Sequence, residues 1–163
     1  IMASAGAGDA IKLWNVADGR EMMTLSTQHG AVQRLQFQPF GKLLAAGCAD
    51  GTLELWDSEQ GIIVTTITAH TQSVTCLSFS KDGALLASGS ADHTIKVWQL
   101  ADSSLLTTLV GHTAEIQGLA FSPDASMIVS GSRDRTIKLW DLVDGRELIT
   151  LPQSAEIKEV GFQ

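Results

Sequence analysis

The chain has 163 residues and a formal charge of −7, from 18 acidic and 11 basic residues. Its 44 % hydrophobic and 18 % charged content is that of one globular domain with a real core. That balance excludes a disordered chain and argues against nucleic acid and membrane surfaces as partners, because few cations are present to neutralise phosphate. No apolar run approaches the ~18 residues of a membrane span, and no signal peptide pattern stands in the sequence. Two cysteines, Cys48 and Cys76, are too few for a disulfide scaffold, and reduced thiols point to a cytoplasmic protein.

Along the chain the hydrophobic period is two, which predicts strands. Met2-Ala3-Ser4-Ala5 and Ile11-Lys12-Leu13-Trp14 are the first two segments. The middle of the chain repeats the pattern more fully. Val74, Cys76 and Ser78 alternate with Thr75, Leu77 and Phe79, a short apolar run covers Leu85 to Ser88, Thr94 to Trp98 alternates again, and Leu105 to Leu109 is rich in Leu and Thr. The turn sequences Lys81-Asp82-Gly83, Ala91-Asp92-His93 and Ala101-Asp102-Ser103 separate these runs. The last segment, Glu156 to Gln163, reads as one more first strand. No stretch carries a helical period.

Tryptophans at 14, 56, 98 and 140 are spaced by 42 residues, inside the matching segments Ile11–Trp14, Leu53–Trp56, Ile95–Trp98 and Ile137–Trp140. Asp50, Asp92 and Asp134 precede the last three by six residues, and Phe37, Phe79 and Phe121 by nineteen. Phe162 falls 41 residues after Phe121, a one-residue slip. Four short strands repeated in this way predict an all-β fold, a β-propeller of four-stranded antiparallel blades with four blades per chain. The predicted blades are 1–27 plus the C-terminal strand 156–163, then 28–69, 70–111 and 112–155.

These residues resemble WD-repeat β-propellers over the whole chain. The family's Gly-His pair is matched by Gly111-His112 and, altered, by Ala69-His70. Its Trp-Asp pair is matched by Trp56-Asp57 and Trp140-Asp141, with Trp14-Asn15 and Trp98-Gln99 as variants. Ser122-Pro123-Asp124, Ser88-Gly89-Ser90 and Ser130-Gly131-Ser132 complete the likeness. The resemblance implies a buried hydrogen-bonded network of His70, Ser88, Asp92 and Trp98 in the third blade, and of His112, Ser130, Asp134 and Trp140 in the fourth. In the second blade Ala46 and Cys48 replace the serines and Gln28 the histidine, with His29 one step late. In the first, Gly8 stands where Asp is expected. Complete networks are therefore expected only in the third and fourth.

A Ser, His and Asp set invites comparison with a hydrolase, but a set recurring every 42 residues with a Trp attached is architecture. There is no Gly-x-Ser-x-Gly elbow and no histidine pair at metal-ligand spacing, so no catalytic residue, metal site or cofactor is expected. Gly6-Ala7-Gly8 precedes a strand and is no phosphate loop. His93 is expected to be a solvated turn residue. The resemblance further implies a partner-binding upper face around the channel, at Gln72, Ala91, Glu115 and Arg133.

The predicted function is a non-catalytic scaffold for a protein or peptide. Four blades are few for a ring. The leading expectation is a homodimer closing eight blades, with the spare strand at 156–163 completing a first blade whose own first strand is missing. Alternatives are a segment of a longer chain, a module of a larger regulatory enzyme or sensor, a four-bladed ring closing alone, and an engineered or recombined repeat protein without a natural ligand.

Overall fold

The structure is a computed structural model and describes residues 1–6 and 8–163; Ala7, within the glycine-flanked stretch at 6–8, lies outside the described residues. The described residues form fifteen strands and no helix. Blade 1 holds β1 (Met2–Ala5), β2 (Ala10–Trp14) and β3 (Glu21–Ser26). Blade 2 holds β4 (Val32–Phe37), β5 (Leu43–Cys48), β6 (Thr52–Asp57) and β7 (Ile62–Thr68). Blade 3 holds β8 (Val74–Phe79), β9 (Leu85–Ser90), β10 (Thr94–Gln99) and β11 (Ser104–Val110). Blade 4 holds β12 (Ile116–Phe121), β13 (Met127–Ser132), β14 (Thr136–Asp141) and β15 (Glu147–Pro152). Each blade is an antiparallel meander in chain order.

The period of two explains how blades stack, since successive side chains face opposite neighbours. In β5, Leu44 and Ala46 join the core shared with blade 1, while Ala45 joins the core shared with blade 3. Three tryptophans cap the core they share with the preceding blade, Trp56 against blade 1, Trp98 against blade 2 and Trp140 against blade 3. The glycine of the second strand allows the next blade's first strand to approach. A Cβ on Gly47 would collide with Val74, and one on Gly89 with Ile116.

The four blades form an open arc. Packing runs from β1 to β4, from β4 to β8 and from β8 to β12. Leu55 and Val97 are buried between blades, whereas Leu139, 42 residues on from Val97, is half-buried on the free face of blade 4. At the other end Trp14 is half-buried, while Trp56, Trp98 and Trp140 are 4 %, 5 % and 1 % exposed.

Within one chain the expected completion of blade 1 by residues 156–163 is not made. Blade 1 has three strands, not four, because residues 156–163 form no strand and do not pair with β1. They lie instead against the free face of blade 4. A Cβ on Gly131 would collide with Ile157, and one on Gly118 with Glu159. The reason is the repeat itself, since Ile157 takes on Gly131 the place that Val74 takes on Gly47 and Ile116 on Gly89. The segment packs as the first strand of a following blade.

Candidate interaction face and the networks beneath it

In blades 3 and 4 one proton chain ties the second and third strands and the turn between them to the entering loop. Trp98 Nε1 donates to Ser88 Oγ at 3.1 Å, Ser88 Oγ lies 2.8 Å from His70 Nε2, and His70 Nδ1 lies 3.0 Å from Asp92 Oδ2. In blade 4 the same steps, Trp140 to Ser130, Ser130 to His112 and His112 to Asp134, measure 2.8, 2.8 and 2.7 Å. The indole can only donate, so the serine accepts from it and gives its own proton to Nε2; the imidazole then donates from Nδ1 to the carboxylate. That sequence requires a neutral imidazole. Burial supplies it, lowering His70 and His112 below the ordinary histidine value against the pull of the facing carboxylates.

The aspartates also lock the turn between second and third strands. Asp92 accepts from the amides of Thr71 and Thr94 and from the Thr94 hydroxyl, and Asp134 accepts from Thr113 and Thr136 in the same way. Burial pushes the Asp92 carboxyl up, but these donors and the adjacent His70 outweigh it and hold it at about 2. Asp134 is held well below the ordinary carboxylate range against the same burial, first by the Thr136 hydroxyl and the Thr113 amide, then by His112. Of each serine pair, the first joins the network. The second ties the turn to the entering loop, Ser90 Oγ donating to Gln72 O and Ser132 Oγ to Ala114 O.

Ser88 and Ser130 have the spacing of a nucleophile from its base, yet both are 0 % exposed. A lone pair of each is taken by an indole N–H and its proton points into the imidazole. No substrate carbonyl reaches either hydroxyl.

Blades 1 and 2 depart from this pattern. In blade 1, Trp14 Nε1 donates to Ser4 Oγ at 2.8 Å. In blade 2, Ala46 leaves Trp56 no serine, and Glu54 takes its place. Glu54 Oε2 accepts from Trp56 Nε1 at 3.0 Å, and Oε1 from the Gln28 amide at 3.2 Å. One fully buried carboxylate thus spans what a serine and a histidine span elsewhere. Glu54 faces Ala46 across the ladder, as Lys96 faces Ser88 and Lys138 faces Ser130. Sequence reasoning missed it. The available signal was that both members of this cross-strand pair leave the repeat pattern together. His29 meets Asp50 at 3.2 Å in a separate, more exposed pair.

The same loops and turns build one end of the blades. Ala91 N donates to Ser73 O and Arg133 N to Glu115 O, both at 3.0 Å, which closes each turn onto the entering loop. Gln72 is exposed, and Ala91 and Glu115 are half-buried. The Arg133 side chain, 52 % exposed, reaches Glu115 at 3.0 Å and Glu156 at 3.8 Å. Of the four candidate face residues, the structure brings Arg133 and Glu115 together beside a cavity of about 280 Å³, lined also by Arg34, Thr75, Gln117 and Lys158. Gln72 and Ala91 belong to the neighbouring blade's loop and turn and do not line it. A larger cavity of about 500 Å³ continues along the first strands. The side-chain oxygens of Gln36 and Gln117, which line it, accept no hydrogen bond among the described residues.

Repeated antiparallel blades, stacked face to face and pinned by Trp–Ser–His–Asp chains, define a β-propeller repeat protein. The family described as WD domain, G-beta repeat matches residues 19–57, 61–99 and 103–141, more than half of the sequence. The chain belongs to the WD40 repeat family, whose repeats serve in general as scaffolds for protein interaction. A comparison with curated proteins finds no match. The matched repeat is offset from the blade, since residues 61–99 contain the last strand of blade 2 and the first three of blade 3. Each repeat therefore stitches two blades together. Among the described residues no helix is long and apolar enough to cross a membrane, and no group of His, Cys, Asp and Glu is placed to hold a metal ion.

Proposed function

We propose that the chain is a non-catalytic scaffold that docks a protein or peptide on the end carrying Gln72, Ala91, Glu115 and Arg133, and that a second copy completes its arc into an eight-bladed ring. Residues 157–162 of each chain supply the inner strand of the other's blade 1. The observation that carries this reading is the seating of Ile157 on Gly131 in the manner of a following blade, while β1 keeps an unpaired edge. An open strand edge next to apolar faces favours pairing, and a two-fold axis lets one exchange satisfy both ends. A cavity of about 370 Å³ between β1 and β4, lined by Met2, Leu35, Phe37 and Leu44 among others, offers room for the incoming strand.

The same seating also fits a ring closed by further blades of one longer chain. Light scattering separates the two. A particle of twice 17.3 kDa supports the dimer, and a stable monomer of that mass favours the longer chain. Removing residues 156–163 should turn the dimer into monomers or aggregates. The partner class is protein rather than nucleic acid or membrane, in keeping with the charge of −7. A cytoplasmic setting suits the two free, buried thiols. Absence of catalysis is tested with a fluorophosphonate probe, which should label no serine stoichiometrically.

A further inference from the structure

The end of the blades opposite the candidate face carries a second surface. It is formed by the turns after β4, β8 and β12, where the three first strands leave the channel. In blades 3 and 4 an aspartate closes this turn, Ser80 Oγ donating to Asp82 Oδ1 and Ser122 Oγ to Asp124 Oδ1, each at 2.6 Å. Blade 2 has Gln38 and Phe40 at the matching places, 42 residues earlier. There the turn is tied differently, Gln38 Nε2 donating to Gly83 O of the next blade at 2.7 Å. Phe40 takes no part in that bond. It is 98 % exposed and sits at φ 56°, a left-handed conformation that a bulky side chain rarely adopts. Blade 2 has given up a turn-closing carboxylate and holds an aromatic ring in water, for which the fold has no use.

Phe40 stands at the edge of a cavity of about 350 Å³ lined by Lys81, Asp82, Pro123, Asp124 and Ala125. The lining sets the apolar Phe40, Pro123 and Ala125 beside Asp82, Asp124 and Lys81. Elsewhere at this end Arg20, Lys42 and Arg146 are each paired with a nearby acid, Asp18, Glu59 and Asp144. That leaves Asp57, Asp82, Asp102, Asp124 and Asp141 without an ion-pair partner against the single unpaired cation Lys81 among the described residues. Both hydrogen bonds of Asp82 go to Oδ1, so Oδ2 faces outward without a protein donor among the described residues. Asp124 is held at about 2 by the hydroxyl of Ser122 and the amide and hydroxyl of Ser126, so it stays ionised.

We propose that this groove is a second docking site, distinct from the Arg133 face, for an extended basic segment of a partner protein. An apolar side chain of that segment packs between Phe40 and Pro123, and flanking Lys or Arg residues meet Asp82 and Asp124. Charge complementarity selects the occupant, because the two carboxylates would repel an acidic peptide, and an aromatic anchor in an apolar pocket is the usual seat of binding energy.

The test uses a labelled eight-residue peptide alternating lysine with phenylalanine and serine, followed by fluorescence anisotropy at physiological ionic strength. Phe40→Asp restores the residue that the other two turns carry, so the thermal midpoint should hold; Phe40→Ser is the second variant should it not. Phe40→Asp should weaken binding by about tenfold or more, although it adds a carboxylate that strengthens any unspecific adhesion. A peptide with glutamate in place of lysine should not bind, and Arg133→Ala should leave binding unchanged. Equal affinity of wild type and Phe40→Asp overturns the proposal, as does loss of binding in Arg133→Ala. A fall in oligomer mass on Phe40→Asp also overturns it, by making a second copy the occupant.

Discussion

Blades 2 and 4 solve the same problem with different chemistry. Both bury a tryptophan whose indole N–H needs an acceptor. Blade 4 gives it Ser130, which leans on His112 and Asp134. Blade 2 gives it Glu54, which reaches the Gln28 amide directly. The first solution spreads the burden over four side chains and keeps the imidazole neutral. The second places one buried carboxylate at the third strand. The fold requires a satisfied indole and a tethered entering loop, and it accepts any residue set that supplies both.

The comparison breaks most severely at Asp134. Asp134→Ala strips partners from His112, Thr113 and Thr136 at once and should cost about 3 kcal/mol in urea unfolding. Asp9→Ala, on an exposed turn off the repeat grid, should stay within about 0.5 kcal/mol. Equal losses would show that the blade 4 network carries no more weight than a surface turn.

Next in size is Glu54→Lys, which restores the residue of blades 3 and 4 but leaves Trp56 and Gln28 unpaired. It should cost about 2 kcal/mol. Adding Ala46→Ser returns an acceptor to the indole, and the pair should recover about 1 kcal/mol. Strict additivity of the two changes would remove Glu54 as the substitute for the serine.

Acid should strain blades 3 and 4 in two stages, with the sign fixed by linkage. The buried imidazoles have lowered values in the fold, so below about pH 6.5 the unfolded chain binds protons that the native network refuses, and stability falls. Asp92 and Asp134 are also lowered, so a second loss begins below about pH 4 and continues as pH falls through their native values. Urea midpoints measured between neutral and strongly acidic pH should descend in both windows. His70→Gln with His112→Gln should flatten the upper window and, by removing one of the groups that hold each aspartate low, also shrink the lower one.

What the sequence made legible follows from the period. A spacing of 42 fixes which residues share a place in successive blades, and a strand period of two fixes which face they take. The strand runs, the stacking tryptophans and the class of fold could be read from those two numbers. Glu54 is signalled only by its leaving the repeat pattern together with Ala46, and the two meet only through the register of β5 and β6. The seat of residues 156–163 could not be read. Their pattern marks a first strand, but which sheet or face receives it is decided by packing on Gly118 and Gly131. Phe40 reads as one more aromatic until its exposure is known.

The smallest effect sharpens the comparison at Cys48, which stands where blades 3 and 4 have Ser90 and Ser132. Those hydroxyls each accept from the amide of the turn aspartate and donate to a carbonyl of the entering loop. The matching groups in blade 2 are the Asp50 amide and the Gly30 carbonyl, and Thr27 Oγ1 already donates to the latter at 3.3 Å. A serine at 48 would therefore gain little while giving up a buried sulfur. Cys48→Ser should shift stability by less than about 1 kcal/mol in either direction. Burial also pushes the Cys48 thiol up to about 12, so it should resist alkylation by iodoacetamide in the folded chain and react fully in urea. A stabilisation well beyond 1 kcal/mol would mean that blade 2 lacks this tie and that Thr27 does not replace it. Fast alkylation of the native thiol would mean that the core between blades 1 and 2 opens, as the free edge of β1 permits.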